Sequence, residues 1–383
     1  MKALLFSILL TIGIVGVTCA QSASSLNTKI EEIVPCTYDA ASDFQEGLGL
    51  VRVKFQYGFV DKTGKEVIPC KYFMAFPFSE GLAKVSKGKE GFIDKTGKEV
   101  IPCQYNAVVD FHEGMAAVKL DGKWGFIDKT GKQVIPCKYS TAYRFHEGMA
   151  AVELDDKWGF IDKTGKQVIP CKYDYYSDFN EGMALVLLKD KFGFIDKTGR
   201  EITGFKYDYP TKSFHEDMAA VKLNGKWGFI DKTGKEVIPC EYYWATDFHE
   251  GLAKLGEGRY IDNKGNIVIE LKCVSSSDFQ EGLALVHLTG DQNKFIFIDK
   301  TGKQAIPYTY YDVKGGFREG KVLVKPTPAQ SWVFIDKTGK EVFTSTYQRV
   351  GDFHEGMAVT LVNQDFMGHG GKFGYIGYRS KPE

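Results

Sequence analysis

A unit of about 34 residues is repeated ten times between residues 30 and 378, clearest from Glu113 to Phe145. A fixed period in this range is the mark of a solenoid, a propeller or an array. A chain of 383 residues would ordinarily suggest two or three domains. The uninterrupted repeat argues instead for one cooperative array over 30–378.

Within each unit the turn signal is Asp-Lys-Thr-Gly, at Asp61, Asp94, Asp128, Asp162, Asp196, Asp231, Asp299 and Asp336, with Asp262-Asn263-Lys264-Gly265 as a ninth, altered copy. Asp can accept hydrogen bonds from amides two residues on and Gly supplies a left-handed residue, so the motif predicts a hairpin loop. Its flanks, Lys123 to Ile127 and Gln133 to Pro136 in the third copy, have the aromatic and β-branched chemistry of strands. Met115 to Leu120 alternates as a further strand, which gives three short strands per unit. The same four residues open the phosphorylated-aspartate signature of cation-pumping ATPases, where the aspartate is a nucleophile. Eight recurrences, the missing following Thr and the absence of membrane helices favour the turn.

Two aromatic columns never break. One runs from Phe59 through Phe126 and Tyr260 to Tyr375, the other from Phe44 through Phe145 to Phe353. Both are expected in the core, each ring contributing about 2 to 3 kcal/mol on burial. A Glu-Gly step is as regular, from Glu46-Gly47 to Glu355-Gly356, except that Asp217 replaces one Gly. Asp tolerates positive φ, so the position predicts a left-handed backbone, with the carboxylate accepting amides exposed by the turn.

Other recurrent residues suggest chemistry less strongly. His112, His146, His215, His249 and His354 alternate with Gln, Ser, Asn and Arg at the same place, which marks a polar turn rather than a metal ladder. Cys36, Cys70, Cys103, Cys137, Cys171 and Cys240 follow Ile/Val-Pro. Equivalent atoms in stacked layers lie roughly 10 Å apart, beyond the roughly 7 Å reach of a disulfide, so free thiols are expected. No catalytic, cofactor or metal residues stand out. The least regular column holds Tyr57, Glu90, Trp124, Trp158, Phe192, Trp227, Gly258, Phe295, Trp332 and Phe373. A position that accepts Glu90 is partly exposed, so Trp124, Trp158, Trp227 and Trp332 are the candidate ligand-surface residues.

At the N-terminus, Lys2 precedes the apolar run Ala3 to Val17, the layout of a secretory signal over 1–20. Cleavage after Ala20 would leave a short linker over 21–29; lipidation of Cys19 is the rival reading. Residues 379–383 form a tail. No other stretch reaches the roughly 18 apolar residues of a membrane helix. With 49 Lys+Arg against 49 Asp+Glu the chain has no field to attract nucleic acid.

Taken together, Lys123-Trp124-Gly125-Phe126-Ile127-Asp128-Lys129-Thr130-Gly131, then Val134-Ile135-Pro136 and Phe145-His146-Glu147-Gly148, resemble the bacterial WG-containing (KWG-type) repeat family. The resemblance implies a β-rich repeat protein of the cell envelope or exterior, without a defined activity. The chain opens on the second half of a unit, from Ile33 to Phe44, and closes on a first half, through Ile376. A ring closed by interleaved termini would need that. Ten units and three strands each depart from the usual four to eight four-stranded blades, so an open, curved β-solenoid is expected ahead of a propeller-like closed ring. The expected function is a non-enzymatic, exported scaffold that binds a protein or envelope partner, with glycan binding through the aromatic column as the alternative.

Overall fold

Lys119 pairs with Trp124 and Leu120 with Lys123 around a two-residue turn at Asp121 (φ 51°) and Gly122 (φ 81°). Two consecutive left-handed residues make the tight hairpin turn that matches strand twist, and Asp-Gly is the pair best suited to it. The computed structural model describes residues 29–211, 213–256, 258–290, 294–363 and 370–378. The expected signal, linker and tail lie outside these, apart from Lys29. Around hairpins of this kind the described residues build ten antiparallel sheets, six of four strands and four of three.

The third sheet is typical, with strands Ala107–Val108, Met115–Leu120, Lys123–Asp128 and Gln133–Tyr139 in meander order. Its first strand has two residues, too short for periodicity to reveal, and this is why three strands were expected. The last sheet takes three strands from the C-terminal end, Arg349–His354, Met357–Val362 and Lys372–Tyr378. Its fourth is the N-terminal strand Ile30–Tyr38. The array is therefore a ring of ten blades, numbered here from the sheet that starts at Ala40. The all-β tandem array is as expected, but the open solenoid is corrected to the closed ring. Open ends would leave the backbone groups of Lys372–Tyr378 unpaired along one edge, whereas Ile30–Tyr38 satisfies them.

The seam repeats the internal register. Trp124 pairs with Tyr139 and Phe126 with Ile135 inside blade 3; Phe373 pairs with Tyr38 and Tyr375 with Val34 across the ends. In both, the fourth strand bulges at Pro-Cys. The bulge explains the Gly of each Trp-Gly step. A Cβ on Gly125 would lie 2.5 Å from the Ile135 carbonyl oxygen and 2.7 Å from the Cys137 nitrogen. On Gly374 it would lie 2.8 Å from the Cys36 nitrogen.

Each blade is packed on both faces, so strand alternation divides its side chains between two neighbours. Ala116 and Val118 join Phe92 and Ile101 of blade 2. Met115 and Ala117 join Phe145 and Val152 of blade 4. Leu120, which strand alternation places on the same face as Ala116 and Val118, is 38% exposed because it has reached the turn. The two aromatic columns meet between blades as ten ring pairs, such as Phe126 with Phe145 at 4.9 Å and 61°. The tenth, Tyr375 with Phe44 at 4.9 Å and 74°, crosses the seam.

The turns sort by chemistry. Those joining the first strand to the second, and the third to the fourth, lie at one rim and are polar. In the Asp-Lys-Thr-Gly turn, Asp128 Oδ1 accepts from Thr130 N at 2.9 Å, Thr130 Oγ1 at 2.6 Å and Lys132 N at 3.0 Å, and Gly131 is left-handed at φ 84°. At the Glu-Gly steps both residues are left-handed, including Asp217 at φ 64°. Each Glu accepts an amide of the next blade's turn: Glu80 from Gly114, Glu113 from Gly148, and so on to Glu355 from Gly47. The amide acceptance was expected, but not that the amide belongs to the neighbour. Among the described residues, eight of these carboxylates also hold a lysine of the next blade, as Glu113 holds Lys163 at 3.1 Å.

Candidate ligand-binding groove

The four candidate tryptophans are all half-buried, and their surroundings differ. Trp124 and Trp227 each face a lysine on the paired strand, Lys119 and Lys222, whose ammonium groups sit 5.9 and 5.8 Å from the indole centres. Lys314 lies 4.5 Å over Trp332. Such cations cover the ring face and hold it by cation–π attraction.

Trp158 is different because its cross-strand partner is Glu153, not lysine. Glu153 is turned to Thr141, whose Oγ1 donates to Glu153 Oε2 at 2.6 Å. The indole packs instead against Tyr176 of blade 5 at 4.4 Å and Tyr143 at 5.7 Å, with tilts of 39° and 38°. Tyr143 and Tyr176 are 6.0 Å apart at 44°. These rings wall a groove of about 720 Å³ that runs from blade 4 across blade 5 to Ser213. Its polar side carries His146, Ser177, Asp178 and Asn180.

The groove's polar groups are held by the strand register. His146 Nε2 is 3.4 Å from Asp178 Oδ2, one blade on. Asn180 Nδ2 donates to the Phe214 carbonyl at 2.9 Å and Ser177 Oγ accepts from Leu185 N at 2.9 Å. Burial pushes the Tyr176 hydroxyl well above the ordinary tyrosine range, with Asp178, Tyr143 and Tyr175 adding to it, so it is a neutral donor. The aromatic track continues over Tyr175, Phe192 and Tyr209 in steps of 5.9 and 6.1 Å. Tyr209 is 60% exposed.

Of the four expected residues, the structure places Trp158 in the wall of this groove and leaves Trp124, Trp227 and Trp332 under lysines. The tyrosines are harder to see in the sequence because their positions are aromatic in only some units. Tyr175, Tyr209 and Trp244 share one that holds Ala107 and Thr141 earlier, and Tyr176 stands where other units have Val108 and Ala142. The usable signals were the run Tyr173-Asp174-Tyr175-Tyr176 and Glu153 in the place of Lys119 and Lys222. The histidines lie on the first strand or its turn. His146, His215, His249 and His354 reach acids of the next blade, as with His354 and Asp43 at 3.4 Å across the seam, whereas His112 meets the Phe145 carbonyl. Among the described residues there is no cluster of three metal-ligating side chains, and no helix is long and apolar enough to cross a membrane.

Ten blades closed by an N-terminal strand define a β-propeller. The chain belongs to the WG containing repeat family, whose model matches ten segments from residues 26–54 to 332–364. No curated protein matches it. Among solved structures it is similar to a eukaryotic initiation factor, at 14% identity over 80% of this chain and 94% of that one, with a TM-score of 0.48. It is similar to NirN, a dihydro-heme d1 dehydrogenase, at 14% identity over 84% and 78%, with a TM-score of 0.36. It is also similar to PorZ, a surface component of the type-IX secretion system of Porphyromonas gingivalis, at 10% identity and a TM-score of 0.27. That match covers 90% of this chain and 60% of PorZ. None of these likenesses carries a functional argument.

Proposed function

We propose that the protein is a non-enzymatic, exported scaffold that holds a protein or cell-envelope partner against one rim of its ring. The observation that carries this is Phe55, which is 81% exposed while its backbone sits at φ 66°. The corresponding turns hold Gly122, Asp156 and Gly225, residues that accept this conformation more readily. A bulky apolar residue held in a strained, solvated turn points to a contact made outside the chain.

Strand order gives Phe55 company. The turns between second and third strands, and the links from one blade to the next, all lie at the rim opposite the Glu-Gly ring. Phe73, Tyr243 and Trp244 occupy such links and are 70%, 85% and 45% exposed. Exposed aromatics of this kind are typical anchors of protein interfaces. The polar rim, by contrast, uses its carboxylates and lysines between blades. Export is supported by the apolar run Ala3 to Val17. The mass of the mature protein reports whether it begins at Gln21 or carries lipid on Cys19.

The test is photocrosslinking in cells, with a benzophenone amino acid at position 55, 73 or 243 and, as a control, at 129 on the opposite rim. A discrete adduct to one polypeptide from the first three and none from 129 is expected. Adducts from 129 alone, or from none of the four positions, would remove this reading.

A further inference from the structure

We infer that the groove between blades 4 and 5 binds a neutral oligosaccharide. The inference is tested separately from the rim, since Trp158 and Tyr143, the residues it replaces, are none of the positions 55, 73 and 243 used for crosslinking. Its track ends at Tyr209, which holds the place in its unit that Trp244 takes in the next.

The shape of the aromatic wall favours sugar rings. Tyr143, Trp158 and Tyr176 are mutually tilted by 38° to 44°, so no two of them form the parallel slot that would sandwich a flat base. A pyranose needs only one ring at a time, because its axial C–H bonds form an apolar patch that rests on the negative face of an aromatic. Tyr143 is 46% exposed and Tyr175 37%. These rings and Tyr209 lie in three successive blades, so the track suits a chain of sugars more than a single one.

Polar chemistry narrows the class. None of the described residues lining the groove is Lys or Arg, and Asp178 makes its polar side acidic, which disfavours a phosphate or uronate. Asp178, its side chain 46% exposed, retains free carboxylate lone pairs beyond its contact with His146. A sugar hydroxyl donates to such a carboxylate and also accepts from a neutral Tyr176 hydroxyl. A proline-rich peptide also fits tilted aromatics, but its carbonyls only accept, and it would bury the carboxylate without a donor.

Local sequence supports a site confined to these blades. Glu153 stands where lysine covers Trp124 and Trp227, which leaves the Trp158 face to its tyrosine neighbours. Tyr143 has Val109 as its counterpart in the preceding unit, and Tyr175 and Tyr209 share one repeat position that Ala107 and Thr141 fill in the two units before them.

The full chain is titrated with cellohexaose, maltohexaose, laminarihexaose and chitohexaose, following tryptophan fluorescence and heat, with decaproline as the peptide probe. At least one hexaose is expected to bind, and Trp158→Ala and Tyr143→Ala are each expected to weaken it by about tenfold or more. Trp124→Ala and Trp332→Ala should leave its affinity within about twofold. Tyr143 is exposed enough to be replaced without loss of fold, so the test survives if Trp158→Ala unfolds. Failure of all four sugars, equal binding by the Tyr143 variant, or decaproline bound in their place would overturn the assignment.

Discussion

Glu355 in the last blade accepts the backbone amides of Glu46 at 2.7 Å and Gly47 at 2.8 Å in the first, although 308 residues separate it from Gly47. Lys62 of the first blade completes the contact at 3.1 Å. The same carboxylate, amide and lysine recur inside the chain at Glu113, Gly148 and Lys163. The seam is thus built like any other joint, and the ring should respond to damage there as a closed object.

Removing the residues before Asp39 takes away the fourth strand of blade 10 and the Tyr38 partner of Phe373. Hydrogen exchange should then rise both in Lys372–Tyr378 and in Ala40–Gln45, on the two sides of the opening. Protection unchanged in Ala40–Gln45 would show that the ends do not depend on each other.

Phe126 and Phe145 are fully buried against one another. Each substitution by alanine is expected to cost about 3 to 5 kcal/mol, the range for a large ring removed from a core. Denaturant unfolding of the full chain measures it, and a loss below about 1 kcal/mol for both would contradict their role.

Gly125→Ala should destabilise by about 1 to 3 kcal/mol, because the added methyl collides with backbone of the fourth strand, which cannot swing aside as a side chain would. Gln133→Ala, exposed on that strand, should stay within about 0.5 kcal/mol. Thermal melting of the pair distinguishes a packing role for the Trp-Gly glycine from simple turn flexibility.

Acid should open the joints. Burial pushes the Glu113 carboxyl up, but the Lys163 ammonium and the Gly148 and Glu147 amides outweigh it and hold it below the ordinary value of 4.5. Glu80, Glu147, Glu181, Glu281 and Glu355 are lowered for the same reasons. A carboxylate depressed in the folded state stabilises fully above its unfolded value, and that contribution disappears as pH falls through the folded one. The melting temperature should therefore hold to about pH 4.5 and drop below it. A flat profile down to pH 3 would show that the Glu-Gly ring contributes nothing.

The unit cysteines should be slow to react. Burial, with Glu66 and Glu236 beside them, pushes the Cys70 and Cys240 thiols up to about 11, which leaves little thiolate at pH 8. None of the seven described cysteines is in a disulfide. A thiol reagent should label the native protein slowly and the denatured protein at once.

The sequence by itself determined whatever a single unit can decide. Asp128, Thr130 and Gly131 form their turn within five residues, and Phe126 and Phe145 announce the core by recurring where each unit meets the same surroundings. Closure was half legible, since the two terminal half-units add up to one. The choice between ring and solenoid needed the curvature accumulated over ten joints, which no single unit contains. Partnerships between units were decided only in three dimensions. Glu113 reaches the amide of Gly148 rather than its own turn, and Ala116 and Ala117 separate into two cores because each blade is covered on both faces. Trp158 and Trp124 read alike in the repeat; one cross-strand residue, Glu153 in place of Lys119, and a tyrosine from the next blade make only one of them a wall of a groove. Local hydrogen bonds and periodic burial are set by neighbours along the chain, whereas a binding surface depends on side chains that the fold brings together from separate blades.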